Sequence, residues 1–160
     1  MVKSGLTDRP DVSQYRLLVH LLLALVIMGM LFHLALSVLV RPSQRVRVDK
    51  SLAAHAWLVV GLIVVTIAGG ALVAGTDAGQ IYNSFPMMGD SLIPSEYGFL
   101  APFWLNIFEN PAAIQFNHRW LAVLTFIAIV ALWLRARQAR LNKAAHCLLY
   151  TSPSPRDWLQ

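Results

Sequence analysis

An all-α integral membrane fold, with three spanning helices, a basic link and a long outer loop, is what the sequence predicts, and three observations carry it. Hydrophobic residues fill 57% of the 160 positions and charged residues 13%, and the mean hydropathy is +0.57, outside ordinary soluble usage. Tyr15–Val40, Leu52–Gly75 and His118–Leu134 are apolar runs near or above the roughly 20 residues that cross about 30 Å of hydrocarbon. Lysine and arginine gather at one end of these runs. Arg41, Arg45, Arg47 and Lys50 follow the first and Arg135, Arg137, Arg140 and Lys143 follow the third, whereas 76–115 holds none. This bias places both basic segments on the inner side, so the first helix runs inward, the second outward and the third inward again. The net charge of +5 serves orientation, and no nucleic acid partner is expected.

The elements follow in order. Residues 1–14 are polar, with Pro10 as a breaker and Ser13 as a helix cap; they lack the basic n-region and small-residue cleavage pattern of a signal peptide, so none is expected. The first helix carries Arg16 and His20 near its outer end. Residues 41–50 are the inner basic link. In the second helix Thr66, Gly70 and Ala74 recur every four residues with Ala71 and Gly75 alongside, a small-residue stripe that lets another helix, or a flat macrocycle, approach the backbone.

The outer loop, 76–115, is too long for an idle connector. Tyr82, Phe85, Tyr97, Phe99, Phe103, Trp104 and Phe108 give it material to pack, and Pro86, Pro94, Pro102 and Pro111 stiffen it. Ala101–Phe108 is expected to form a short interfacial helix. The acids Asp77, Asp90, Glu96 and Glu109 read as a solvated lid surface. The third run is a few residues short and is expected to span with Phe116 and Trp133 as interfacial anchors. Beyond it, Cys147–Asp157 starts like a helix but is interrupted by Pro153 and Pro155, and 146–160 reads as a non-native tail.

One cysteine, Cys147, excludes a disulfide or a multi-cysteine metal motif within one copy, which leaves metal chemistry to the five histidines. A histidine entering the bilayer is costly to place and invites a functional explanation, of which axial ligation of haem iron leads. His118, beside Arg119, and His20, one turn inward of Arg16, fall at similar depth; each reads either as a ligand or as an interhelical hydrogen bonder. Arg16 and Arg119 suit a pair of propionates bidentately, or serve as interfacial anchors. His33, 13 residues beyond His20, faces roughly the opposite side and reads as a packing contact. His55 caps, snorkels or bonds another helix, and His146 belongs to the tail.

The run Gly69–Gly89 (GGALVAGTDAGQIYNSFPMMG), followed by Asn106–Pro111 (NIFENP) and Gln115–Arg119 (QFNHR), resembles haem A synthases of the mitochondrial and proteobacterial type; Met1–Leu6 and Val12–His20 resemble them too, and the likeness runs to about residue 140. The resemblance implies an eight-helix inner-membrane protein, bacterial or mitochondrial, of two four-helix bundles, each holding a haem between two histidines near the outer face. Residues 1–40 would then be the last helix of the first bundle, and 51–140 the first two helices of the second with their outer loop. His20 would ligate in the first, substrate-binding bundle. His118 would ligate haem b in the second.

The reaction implied converts haem O to haem A for cytochrome oxidase assembly by oxidising a ring methyl group to a formyl group, with an electron donor the sequence does not name and with homo-oligomers possible in principle. Its catalytic residues stay unknown. By motif, the three helices answer to the family's fourth, fifth and sixth, so this stretch reads as an internal piece without the partners of either histidine and without an outer-loop glutamate implicated in catalysis, and it is expected to be inactive alone. Two other classes stay open: a non-enzymatic b-type cytochrome with His20 and His118 on one haem, and a purely structural three-helix protein.

Overall fold

The computed structural model describes residues 13–39 and 49–138. Three long helices dominate: α1 (Gln14–Leu39), α2 (Lys50–Gly75) and, after the loop and the one-turn helix α3 (Asn106–Glu109), α4 (Pro111–Gln138). At 1.5 Å per residue they are about 39, 39 and 42 Å long, so each exceeds the hydrocarbon thickness of about 30 Å. All three are long and apolar enough to cross a membrane. Their flanks remain largely bare: Leu23, Met30, Phe32, Trp57, Phe126 and Ile127 are all more than half exposed, as lipid-facing side chains are.

Two helix starts depart from the sequence expectation. The third span begins at Pro111, seven residues before His118, and is therefore full length. Pro111 occupies the first helical position, where its missing N–H costs nothing, and Asn110 caps it, its Oδ1 accepting from the amides of Ala112 at 3.0 Å and Ala113 at 3.4 Å. The second span starts at Lys50, with Asp49 accepting from the Ser51 N–H at 3.1 Å. The first starts where expected, the Ser13 carbonyl taking the Leu17 N–H at 3.1 Å.

α2 packs against both α1 and α4. The α1 crossing is tightest at Gly75, where a Cβ would lie 2.5 Å from Gln14 Cα, so only glycine fits. Along α4 the small-residue stripe meets different partners at successive turns: Thr66 Oγ1 pairs with Thr125 Oγ1 at 2.8 Å, Gly70 abuts His118 together with Gly69 beside the stripe, and Ala71 is buried. The stripe therefore works in helix packing. Because α2 is antiparallel to its neighbours, the start of α1, the end of α2 and the start of α4 share one end of the molecule, as the charge bias predicts.

The loop is ordered by side-chain amides. A 3-10 turn at Phe103–Leu105 leads into α3, two residues later than the interfacial helix expected at Ala101–Phe108. Asn106, 1% exposed, accepts from the Leu100 N–H and donates to the carbonyls of Leu100 and Phe103. Asn110 donates to the Glu96 carbonyl at 2.6 Å and to Asn106 Oδ1 at 2.9 Å. These amides satisfy backbone groups that no regular ladder could reach. The tail 146–160, with His146 and Cys147, and the link 40–48 lie outside the described residues.

Candidate functional site

His118 sits two turns into α4, against the two glycines of α2. A Cβ on Gly69 would come within 3.2 Å of its Nδ1, and one on Gly70 within 3.3 Å of Cε1 and 3.7 Å of Nε2. The absence of both side chains is what gives the imidazole room in the seam. Nδ1 is buried without a hydrogen bond of normal geometry, although the Thr66 carbonyl faces the ring. Such an orphaned nitrogen is uncommon and calls for a role.

The ring lines a cavity of about 310 Å³ between the three long helices, walled by Leu18 of α1, Val65, Ala68 and Leu72 of α2, and Ile114 and Leu121 of α4. Ile107 and Phe108 of α3 line its outer end, and Asn117 is its other polar wall residue. Among the described residues no group of three or more His, Cys, Asp or Glu gathers to hold a bare metal ion. A lone imidazole in an apolar chamber suits instead the axial position of an iron already held by a flat macrocycle. The glycine cradle, the orphaned nitrogen and the apolar walls fit such a group.

The outer loop is fastened to the first three turns of α4. Gln115 donates to the carbonyls of Tyr82 at 2.9 Å and Gly79 at 3.4 Å, and the guanidinium of Arg119 donates to the Ser84 carbonyl at 2.6 Å and to that of Tyr82. The Tyr97 hydroxyl donates to Asn117 Oδ1 at 2.9 Å, and its ring meets Phe116 edge-on at 5.3 Å. Arg119, read from sequence as a propionate holder, thus spends these two nitrogens on the loop backbone. Arg16 lies exposed near the start of α1.

His20 is exposed on α1 and is not among the residues lining the His118 cavity. Six residues into α1, against seven into α4 for His118, it lies at comparable depth, about 9 and 10 Å from the helix starts. His33 is exposed, and His55 bonds across to α4. The loop acids do more than solvate a surface. Glu109 accepts from Gln14 at 3.1 Å and from the Tyr15 hydroxyl, tying loop to α1. Glu96 accepts from the Tyr82 hydroxyl at 2.6 Å, which lowers its pKa from the ordinary 4.5 and raises that of Tyr82 from 10.0. Asn106 and Asn110 were missed as organisers; the Asn110-Pro111 pair, a cap followed by a first-turn proline, was the available signal.

A family model described as "Cytochrome oxidase assembly protein", COX15-CtaA, matches residues 1–152. A protein of Rhodospirillum centenum named "Heme A synthase" is 47% identical over 132 residues, 82% of this chain and 35% of the relative. One of Wolbachia pipientis from Culex pipiens, with the same name, is 42% identical over 135 residues, 84% and 41% of the two chains. The Bos taurus protein "Heme A synthase COX15" is 41% identical over 154 residues, 89% and 37%. The chain spans about two fifths of the length of the curated relatives it matches. No solved structure matches.

Proposed function

The chain belongs to the COX15-CtaA family of cytochrome oxidase assembly proteins, and from that premise we propose that it serves haem A synthesis, the oxidation of a methyl group of haem O to the formyl group of haem A. It is a multi-pass inner-membrane protein whose relatives are bacterial and mitochondrial, and its chemistry is that of haem. The single observation that carries the reading is His118 in its glycine cradle, its ring lining an apolar chamber and its buried Nδ1, on the α2 side, without a hydrogen bond of normal geometry.

In this reading His118 would hold the iron of haem b, within a bundle that α2 and α4 would share with two further helices of an eight-helix protein. His20, exposed on α1 and outside the walls of that chamber, would ligate in the other bundle, where haem O would bind. Iron in the bound group supplies the redox chemistry that attack on a C–H bond requires. The polypeptide positions and insulates. Gly69 and Gly70 fix the height of the imidazole, Leu72, Ile114 and Leu121 keep water away, and the roof of Ile107 and Phe108 separates the chamber from the outer compartment. Arg119 works by holding the loop carbonyls of Tyr82 and Ser84; Arg16, exposed near the start of α1, is the better placed of the two to meet a propionate.

That His20 is exposed and does not line the His118 chamber favours two haem sites over a single haem bridged by both histidines. The test is production from the complete coding sequence in cells lacking haem A synthase, followed by chromatography of extracted haems. Haem A should appear with the parent protein, and haem O alone with His118→Ala. Haem A at the parent level in the variant would overturn the proposal.

A further inference from the structure

At the other end of the α2–α4 pair, Arg135 reaches across the seam: Nη1 lies 3.1 Å from His55 Nδ1, and Nη2 donates to Ser51 Oγ at 2.7 Å. A guanidinium only donates, so His55 Nδ1 must accept, which fixes the neutral tautomer with its proton on Nε2. Ser51 Oγ, having accepted, keeps its own O–H to give. The three side chains therefore present donors only, with a full positive charge at their centre, and neither partner of Arg135 is an acid. Asp49, the one acid among the described residues at this end, turns to the Ser51 N–H as the cap of α2. Lys50 is exposed beside it, and Arg137 is stacked 4.6 Å over Trp133.

We propose that this corner binds the phosphodiester of an anionic phospholipid, with Arg135, His55 Nε2–H and Ser51 O–H on its oxygens and Lys50 adding charge. A phosphate offers the several acceptors that this set of donors lacks. The surroundings select a lipid: Trp57, 74% exposed, Leu58 and Leu134 leave bare apolar surface beside the cations, where acyl chains lie. The basic residues mark this as the inner end, whose leaflet surface is anionic.

Native mass spectrometry of the protein, released from nanodiscs holding phosphatidylglycerol and phosphatidylcholine of matched chains, tests it. Phosphatidylglycerol should be retained in preference, and Arg135→Gln should cut the preference about fivefold. His55→Phe, which removes one donor and leaves the Arg135–Ser51 contact, should lower it as well, and decides the matter if Arg135→Gln loses its helix content. Equal retention of both lipids by the parent protein, or full preference in His55→Phe, would overturn the site. Complete stripping of the lipid by excess inorganic phosphate would identify a free-anion site and overturn the lipid assignment.

Discussion

Replacing Gly69 by alanine puts a methyl group against the imidazole of His118. The new Cβ would stand 3.2 Å from Nδ1 and 3.7 and 3.8 Å from Cβ and Cγ of His118, whereas comfortable separations between such atoms are about 3.5–4.0 Å. The ring must therefore yield by a few tenths of an ångström, between glycines on one side and the chamber on the other. Overpacking of this kind costs about 1–3 kcal/mol, against a helix-propensity gain of about 1 kcal/mol for alanine over glycine. Gly69→Ala should be net destabilised by about 0–2 kcal/mol. Gly61→Ala, on the same helix with nothing within 4 Å, supplies the control. It should be unchanged or stabilised by up to about 1 kcal/mol. Thermal unfolding of both variants in one detergent measures the difference, and a shift of the haem Soret band confined to Gly69→Ala reports the displaced ligand. Equal stabilisation of the two, with unaltered spectra, would refute the close approach and the cradle with it.

Other consequences follow from the same contacts. Gly75→Ala would set a Cβ 2.5 Å from Gln14 Cα, backbone that cannot rotate aside, so α1 should be displaced at a cost of about 1–3 kcal/mol, read as a lower melting temperature. Asn110→Ala removes the α4 cap and the donor that serves Glu96 and Asn106, a loss of about 1–3 kcal/mol, and hydrogen exchange over the loop should rise; Asn110→Asp, which keeps the cap, should fall between. The Tyr82–Glu96 bond gives the loop a defined pH range. Glu96 is held below its usual 4.5, so its contribution is complete above that value and is lost as pH falls through the folded pKa. Tyr82, raised above 10.0, contributes below that value and loses it as pH climbs through its own folded pKa. Limited proteolysis of the loop should quicken in acid, and Tyr82→Phe should remove that dependence.

Why some of this was legible in advance and some was not has physical reasons. Spans are written in local composition: the runs of Leu, Val and Ile around His20 and through 52–75 are long and apolar enough to cross a membrane, and the basic residues of 41–50 and 135–143 carry the expected orientation. The start of α4 was misplaced because Ala112 and Ala113 are only weakly apolar and Gln115 is polar, so the hydropathy of that turn is low; its burial comes from the loop folded over it, a long-range event. The same holds for Arg119. Its position beside a candidate ligand was plain, but its partners, the carbonyls of Tyr82 and Ser84, lie more than thirty residues away in the chain. Gly70 was visible in a small-residue stripe, but its neighbour Gly69 was not part of it, and the identity of the side chain the two would receive depended on the register of α2 against α4. Nothing local specifies that register except the fit itself.

The central claim is that the imidazole of His118 coordinates iron. Resonance Raman and reduced-minus-oxidised absorption spectra of protein made from the complete coding sequence, with His118→Gly compared in the absence and presence of free imidazole, test it most directly. Loss of one six-coordinate low-spin haem in the variant, restored by imidazole and untouched in His33→Gly, is the expected result. A full complement of low-spin haem in His118→Gly without imidazole would contradict it.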